Sequence, residues 1–139
     1  MIDAHSQADR GRVAHESFAN TDWWERLFKT IDASDAAGFV DFLTADAQFR
    51  FGNAPAVKGT LEIGAAVTGF FTAIGSSEHR LLASWCAGES AGCEGEVTYT
   101  RHDGSVVTFP FANVLQMRGD KVSSYRIYID ISTLFGGKS

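Results

Sequence analysis

Cysteine, clustered positive charge and long apolar runs are scarce in this chain, and each shortage removes a class of protein. Cys86 and Cys93 are the only cysteines. No disulfide framework can replace a core, and at 139 residues the chain is long enough to bury one as a single domain. The two thiols flank a hairpin-like segment, 87–92, and could face each other across two strands, where a reducing compartment would keep them reduced. The four histidines His5, His15, His79 and His102 are scattered and no His/Cys/carboxylate group has the spacing of a zinc site, so neither a metal nor another cofactor is expected. Lys and Arg number 12 against 17 Asp and Glu, a net charge of −5. With no basic cluster, nucleic acid and anionic membranes are excluded as expected partners. No apolar run of about 18 residues occurs and the N-terminus lacks a signal-like apolar segment, so the expectation is a cytoplasmic protein that does not enter a membrane.

What the chain has is apolar and aromatic bulk: 45% hydrophobic residues, with eleven Phe, three Trp and three Tyr, ample for a core and opposite to a disordered composition. Residues 1–20 read as an extension or a loose helix, because Val13 and Phe18 do not recur at a helical period. The domain proper is read over 21–139. Thr21 and Asp22 offer an N-cap to a helix in which Trp24, Leu27, Phe28 and Ile31 share a face. Ser34 is the expected cap of a shorter helix carrying Phe39, Val40, Phe42 and Leu43. A strand, Gln48–Phe51, ends at Gly52-Asn53-Ala54-Pro55. Thr60 is the expected cap of a third helix, with Ile63, Val67, Phe70, Phe71 and Ile74 inward and Gly75 as its stop. From His79 the pattern switches to period two, in runs 79–87, 93–102, 106–117 and 121–131, which read as an antiparallel meander.

Turn chemistry sets the expected registers. Asp103-Gly104 reads as a two-residue turn, which places Glu96 opposite Phe111, Thr98 opposite Phe109 and Glu94 opposite Asn113. One face would then hold Phe109, Phe111, Asn113 and Leu115 with Glu94, Glu96 and Thr98, the mixture of apolar wall and few polar groups that suits a ligand pocket. The other face would hold Val97, Tyr99, Thr108 and Pro110. A three-residue loop at Arg118-Gly119-Asp120 turns Tyr125, Ile127 and Ile129 to the pocket face, whereas a two-residue loop turns Arg126, Tyr128 and Asp130 there. The first is preferred because it puts the isoleucines inside.

The order helix, helix, strand, helix, meander over residues 21–135 resembles the nuclear transport factor 2-like superfamily, in its SnoaL-like and ketosteroid-isomerase-like branch. The phrases Phe42-Leu43-Thr44-Ala45-Asp46-Ala47, Lys58-Gly59, Tyr99-Thr100-Arg101-His102-Asp103-Gly104, Pro110-Phe111 and Tyr128-Ile129-Asp130 carry the likeness. The resemblance implies an α+β fold, a cone-shaped curved antiparallel sheet wrapped around a pocket closed by three N-terminal helices, and a homodimer formed through the outer sheet face. Pairing is also expected from the apolar Val97, Tyr99, Pro110 and Tyr128, read as outer-face residues. The acids of the family's enzymes are mostly replaced: Phe51 stands at the isomerase base, Leu27 at its oxyanion tyrosine and Ile127 at the cyclase acid. Of the epoxide-hydrolase set only Asn53 is kept, with Glu96 a conservative change at another position, and Asn113 lies near the second oxyanion acid.

The expected catalytic residues are Glu96, Asn113 and His79. Glu96 among aromatic rings would be poorly hydrated, its pKa raised towards neutrality as a general base requires. Asn113 would donate to an oxyanion, and His79, at the start of a strand, could reach the cavity as an acid or base. Asn53, Phe51, Phe109, Phe111, Thr98, Tyr125, Ile127 and Ile129 are the expected ligand contacts. Each polar candidate has a plainer reading: a solvated sheet carboxylate, a satisfied strand amide, a turn former at Asn53, a structural histidine. Trp23, Trp24 and Phe70 read as core, and Asp130 as the cap of a C-terminal turn. The expected activity is acid–base isomerisation or cyclisation of a small hydrophobic carbonyl compound without a cofactor. The rival is a non-catalytic module for hydrophobic ligand binding or dimerisation, since fold alone sets no chemistry.

Overall fold

The computed structural model of the protein describes residues 19–135, so the extension expected over 1–20 lies, but for Ala19 and Asn20, outside the described residues. Asn20, one residue ahead of the expected caps, begins α1 (Thr21–Asp32), its side-chain oxygen accepting from the Trp23 N–H at 2.9 Å. The buried face of α1 is Trp23, Trp24, Leu27 and Phe28, the i, i+1, i+4, i+5 stripe of a helix laid on a sheet. Asp35, not Ser34, caps the one-turn α2 (Ala36–Val40) by accepting from the Gly38 N–H at 2.9 Å. Ser34 takes a left-handed φ of 58° in the link, as a non-glycine residue does only in a tight turn. The third helix, α3 (Thr60–Ala73), follows Gly59 at φ 89° and has no side-chain cap, so Thr60 is its first residue rather than its cap.

Six strands follow the order β2 (Val57–Lys58), β1 (Leu43–Phe51), β6 (Lys121–Tyr128), β5 (Val106–Arg118), β4 (Ser90–Thr100), β3 (Ser76–Ala87) in one curved, unclosed sheet. The meander β3 to β6 is antiparallel, as is the β1–β2 pair, but β1 joins β6 in parallel, with Phe49 beside Tyr125 and Phe51 beside Ile127. A final turn of helix, α4 (Ser132–Phe135), is entered through Asp130, whose carboxylate accepts from the Ser132 N–H at 3.0 Å. The helices cover the concave face: α1 packs on β3, α3 on β1, and α2 bridges α1 and α3.

Both hairpin loops have the length expected of the other. Between β4 and β5 the loop is three residues, His102-Asp103-Gly104, closed by Arg101 N–H to Ser105 O at 2.8 Å and Gly104 N–H to Arg101 O at 2.9 Å, with Gly104 at φ 89°. This turn ending in a left-handed glycine is the usual three-residue hairpin connection. It shifts the register by one. Val97 faces Phe109, Gly95 faces Phe111 and Cys93 faces Asn113, while Glu96 faces Pro110 and Thr98 faces Thr108. Because side chains alternate, one residue of slip moves Glu94, Glu96 and Thr98 to the outer face and Cys93, Val97 and Tyr99 to the inner. Between β5 and β6 the loop is two residues, Gly119-Asp120, but the ladder slips between Gln116 and Met117 so that Gln116 pairs with Ser124 and Met117 with Val122. The extra residue, Ser123, is a bulge. It undoes the parity change and leaves Tyr125 and Ile127 facing inward.

Gly95 sits at the crowded centre of this inner face. A Cβ there would lie 2.2 Å from the Arg80 carbonyl oxygen and 3.2 Å from Cζ of Phe111, so only glycine lets the β3 backbone come this close to β4 with the Phe111 ring beside it. Cys86 pairs with Ala91 and Cys93 with Ser84, so the two cysteines are not directly opposite, and no disulfide joins them.

Candidate functional site

Between the helices and the concave sheet lies a cavity of about 270 Å³, near the small end of ligand pockets. Its wall is largely aromatic and aliphatic: Phe39 from α2, Phe70 and Phe71 from α3, Phe49 and Phe51 from β1, Phe111 from β5, Ile127 from β6 and Ile129 just beyond it. Ser77, His79, Tyr99, Asn113 and Tyr125 interrupt it with polar groups.

At one end His79 is held by Asp32, a residue that sequence reading missed. Asp32 closes α1, and its carboxylate accepts three hydrogen bonds: from His79 Nδ1 at 2.6 Å, from the His79 backbone N–H at 2.8 Å and from Ser77 Oγ at 2.9 Å. The imidazole stacks on Phe28 (ring centroids 4.7 Å apart, planes at 7°) and meets Phe111 edge-on at 5.5 Å. A carboxylate on Nδ1 fixes the tautomer that leaves the Nε2 lone pair available. One signal for Asp32 was present in the sequence. An anion on the last residue of a helix opposes the helix dipole, so a partner elsewhere was to be expected.

At the other end Asn113, only 2% exposed, donates from Nδ2 to the Tyr125 hydroxyl at 3.5 Å, while its Oδ1 is buried with no hydrogen-bond partner. Burial pushes the Tyr125 phenol well above its usual pKa. The Tyr99 phenol is raised by burial and, secondarily, by the Asp32 charge. Burial likewise lifts the Cys93 thiol to about 12. All three hold their protons at neutral pH, so the phenols are donors and Cys93 is an inert thiol.

The expected site residues thus divide. His79, Asn113, Phe51, Phe111, Tyr125, Ile127 and Ile129 line the cavity. Glu96 does not: it lies on the outer face, its side chain 41% exposed, in an ion pair with Arg80 at 2.9 Å. Thr98 is beside it, sharing a hydrogen bond with Thr108 on the exposed surface. Phe109 is buried against Tyr99 but does not line the cavity. Asn53 is an exposed turn residue, while its neighbours Ala54 and Pro55 edge the cavity. Val97 and Tyr99, expected outside, are buried. Phe70, expected in the core, is half-buried at the cavity wall. Among the described residues, no cluster of three His, Cys, Asp or Glu side chains is placed to hold a metal ion and no helix is long and apolar enough to cross a membrane.

A curved sheet closed by helices over such a cavity is the architecture of the nuclear transport factor 2-like superfamily. The chain belongs to the SnoaL-like domain family, whose model matches residues 24–125. No curated relative matches it by sequence. Among solved structures, a candidate polyketide cyclase from Xanthomonas campestris pv. campestris superposes with a TM-score of 0.76 at 13% identity, covering 92% of this chain and 98% of that one. A protein with a ketosteroid isomerase-like fold from Catenulispora acidiphila DSM 44928, in complex with trimethylamine, gives 0.71 at 15% identity over 76% and 82% of the two chains. TerC, co-crystallised with polyporic acid, gives 0.69 at 16% identity over 78% and 88%. At these identities the likeness concerns the fold.

Proposed function

We propose that the protein is an acid–base enzyme acting on a small hydrophobic carbonyl compound, with His79 as the proton carrier and Asp32 as the residue that positions it. The observation that carries this reading is the Asp32–His79 contact of 2.6 Å at the wall of an apolar cavity. His79 Nε2 takes a proton from the carbon beside the carbonyl. The C–H electrons form the C=C bond of an enolate as the carbonyl electrons move to oxygen. In a β,γ-unsaturated substrate that enolate is a dienolate, and the imidazolium, stabilised by Asp32, returns the proton to its far carbon as the C=C bond shifts and the carbonyl re-forms, so the isomerisation needs no further reagent. The Tyr99 hydroxyl, at the cavity wall on the residue paired with Ser77, supplies the donor for the enolate oxygen. The same reading includes a pair of copies joined through the outer sheet face, where Trp85 and Tyr128 stay about half exposed; light scattering would report it.

A rival reading, a non-catalytic module for binding hydrophobic ligands, is favoured by the lack of any carboxylate among the cavity-lining residues. Hydrogen–deuterium exchange at the acidic C–H positions of 2-tetralone, followed by proton NMR with binding checked by tryptophan fluorescence, separates the two. The enzyme reading expects exchange faster than buffer, a fall of about 10²-fold or more in His79→Gln and a large fall in Asp32→Asn with ketone binding retained. Bound ketone that exchanges no faster than in buffer leaves the binding module.

A further inference from the structure

The cavity has two polar ends of different character. On β4, His79's partner Val97 and Asn113's partner Cys93 are four residues apart, about 13 Å at the rise of a strand. Between them the inner face is Gly95 under the ring of Phe111. At the His79 end the imidazole Nδ1 and the Ser77 hydroxyl both bond to the Asp32 carboxylate, leaving Nε2 for the proton transfer. At the other end Asn113 lines the cavity, and its buried Oδ1 has nothing bonded to it. A buried acceptor left without a partner is unfavourable, so a ligand that fills it gains specificity there.

The chemistry of that ligand follows from the pair. With Nδ2 donating to Tyr125, the Tyr125 O–H remains as a donor beside Asn113 Oδ1 as an acceptor. Turning the amide end for end exchanges the atoms that donate and accept between the two residues, but either way the pair keeps at least one free donor and one free acceptor. A neutral hydroxyl answers both at once through a single atom. A carbonyl or ether oxygen would leave the acceptor empty, and a carboxylate would enter a cavity with no Lys or Arg in its wall and the Asp32 carboxylate behind His79.

We propose that the Asn113–Tyr125 pair is the seat for a neutral hydroxyl on an otherwise apolar ligand about two fused rings long, anchoring it by that end while the opposite end lies at His79. The pair is then a specificity device remote from the proton transfer and not an oxyanion hole, the role expected of Asn113 from the sequence. This inference rests on the proposed function for the cavity's being the substrate site, but its test uses inert probes, so either can fail alone. Calorimetric titration of the wild type with 2-naphthol, 2-methoxynaphthalene and 2-naphthoate is expected to rank naphthol about tenfold or more above the methyl ether, with no heat from the carboxylate. In Asn113→Leu, a near-isosteric change, naphthol and its ether are expected to bind alike. In His79→Gln the naphthol preference is expected to persist. Equal binding of naphthol and ether by the wild type, absence of binding by both, preferred binding of the carboxylate, or loss of the preference in His79→Gln but not in Asn113→Leu would each overturn the proposal. Should Asn113→Leu not fold, Tyr125→Phe carries the same comparison, with a reduced preference expected and an unchanged one overturning it.

Discussion

On the inner face of the β4–β5 ladder Val97, Tyr99, Phe111, Asn113 and Leu115 are buried, whereas one residue along the same strands Glu94, Thr108 and Pro110 meet water. The two faces share a backbone and differ only in which side of it they occupy. The strands' share of the cavity wall is carried by alternate residues, and the residues between them face away from it. The contrast also shows why a catalytic assignment on a strand stands or falls with register: the step from Glu96 to Val97 is a step from solvent to the wall of the site.

Three measurements test that contrast. The largest effect is expected from the inner face. Phe111→Ala removes a ring that is 6% exposed and packs on Phe28 and His79, so it should cost about 3–5 kcal/mol in chemical denaturation, while Pro110→Ala beside it should change stability by no more than about 0.5 kcal/mol. Equal costs would mean the faces are not distinct.

A smaller effect belongs to high pH. The buried phenols of Tyr99 and Tyr125 and the thiol of Cys93 have folded pKa values raised above the ordinary 10.0 and 9.0. Each therefore contributes stability that is complete below its unfolded pKa and is lost as pH climbs towards the folded one. Melting temperature should be insensitive to these groups up to about pH 9 and should fall above it, starting with Cys93, whose folded pKa is about 12. Tyr125→Phe, Tyr99→Phe and Cys93→Ala should each make the alkaline fall shallower. An alkaline profile unchanged in all three would show that the groups are not desolvated.

The smallest effect is expected at Glu96. Its ion pair with Arg80 joins two side chains that are 67% and 41% exposed, and such pairs are worth about 0–1 kcal/mol. Glu96→Gln should leave both stability and ketone exchange near wild type. A loss of exchange comparable to that of His79→Gln would return Glu96 to the site.

Much of this molecule could be read along the chain. The period of Trp24, Leu27 and Phe28, the alternation from His79 onward and the glycines at the turns specify helices and strands locally, because side-chain direction repeats with the backbone's own period. Inward placement of Phe111, Asn113, Tyr125, Ile127 and Ile129 was legible too. The two loops were not. Asp103-Gly104 suits a two-residue turn, yet Arg101 and Ser105 close a three-residue one, and that single residue took Glu96 and Thr98 out of the cavity and brought Val97 and Tyr99 in. The β5–β6 loop differs from expectation in the opposite sense and without consequence, because the bulge at Ser123 restores the parity. Sequence by itself therefore determined the fold, the inventory of rings and the strand faces on either side of a known register, all of which follow from local periodicity and burial. Tertiary structure alone decided the chemistry at the wall. Asp32 ends a helix and His79 lies 47 residues later in a strand, and no local pattern ties two such residues together until α1 packs on β3 and sets carboxylate against imidazole.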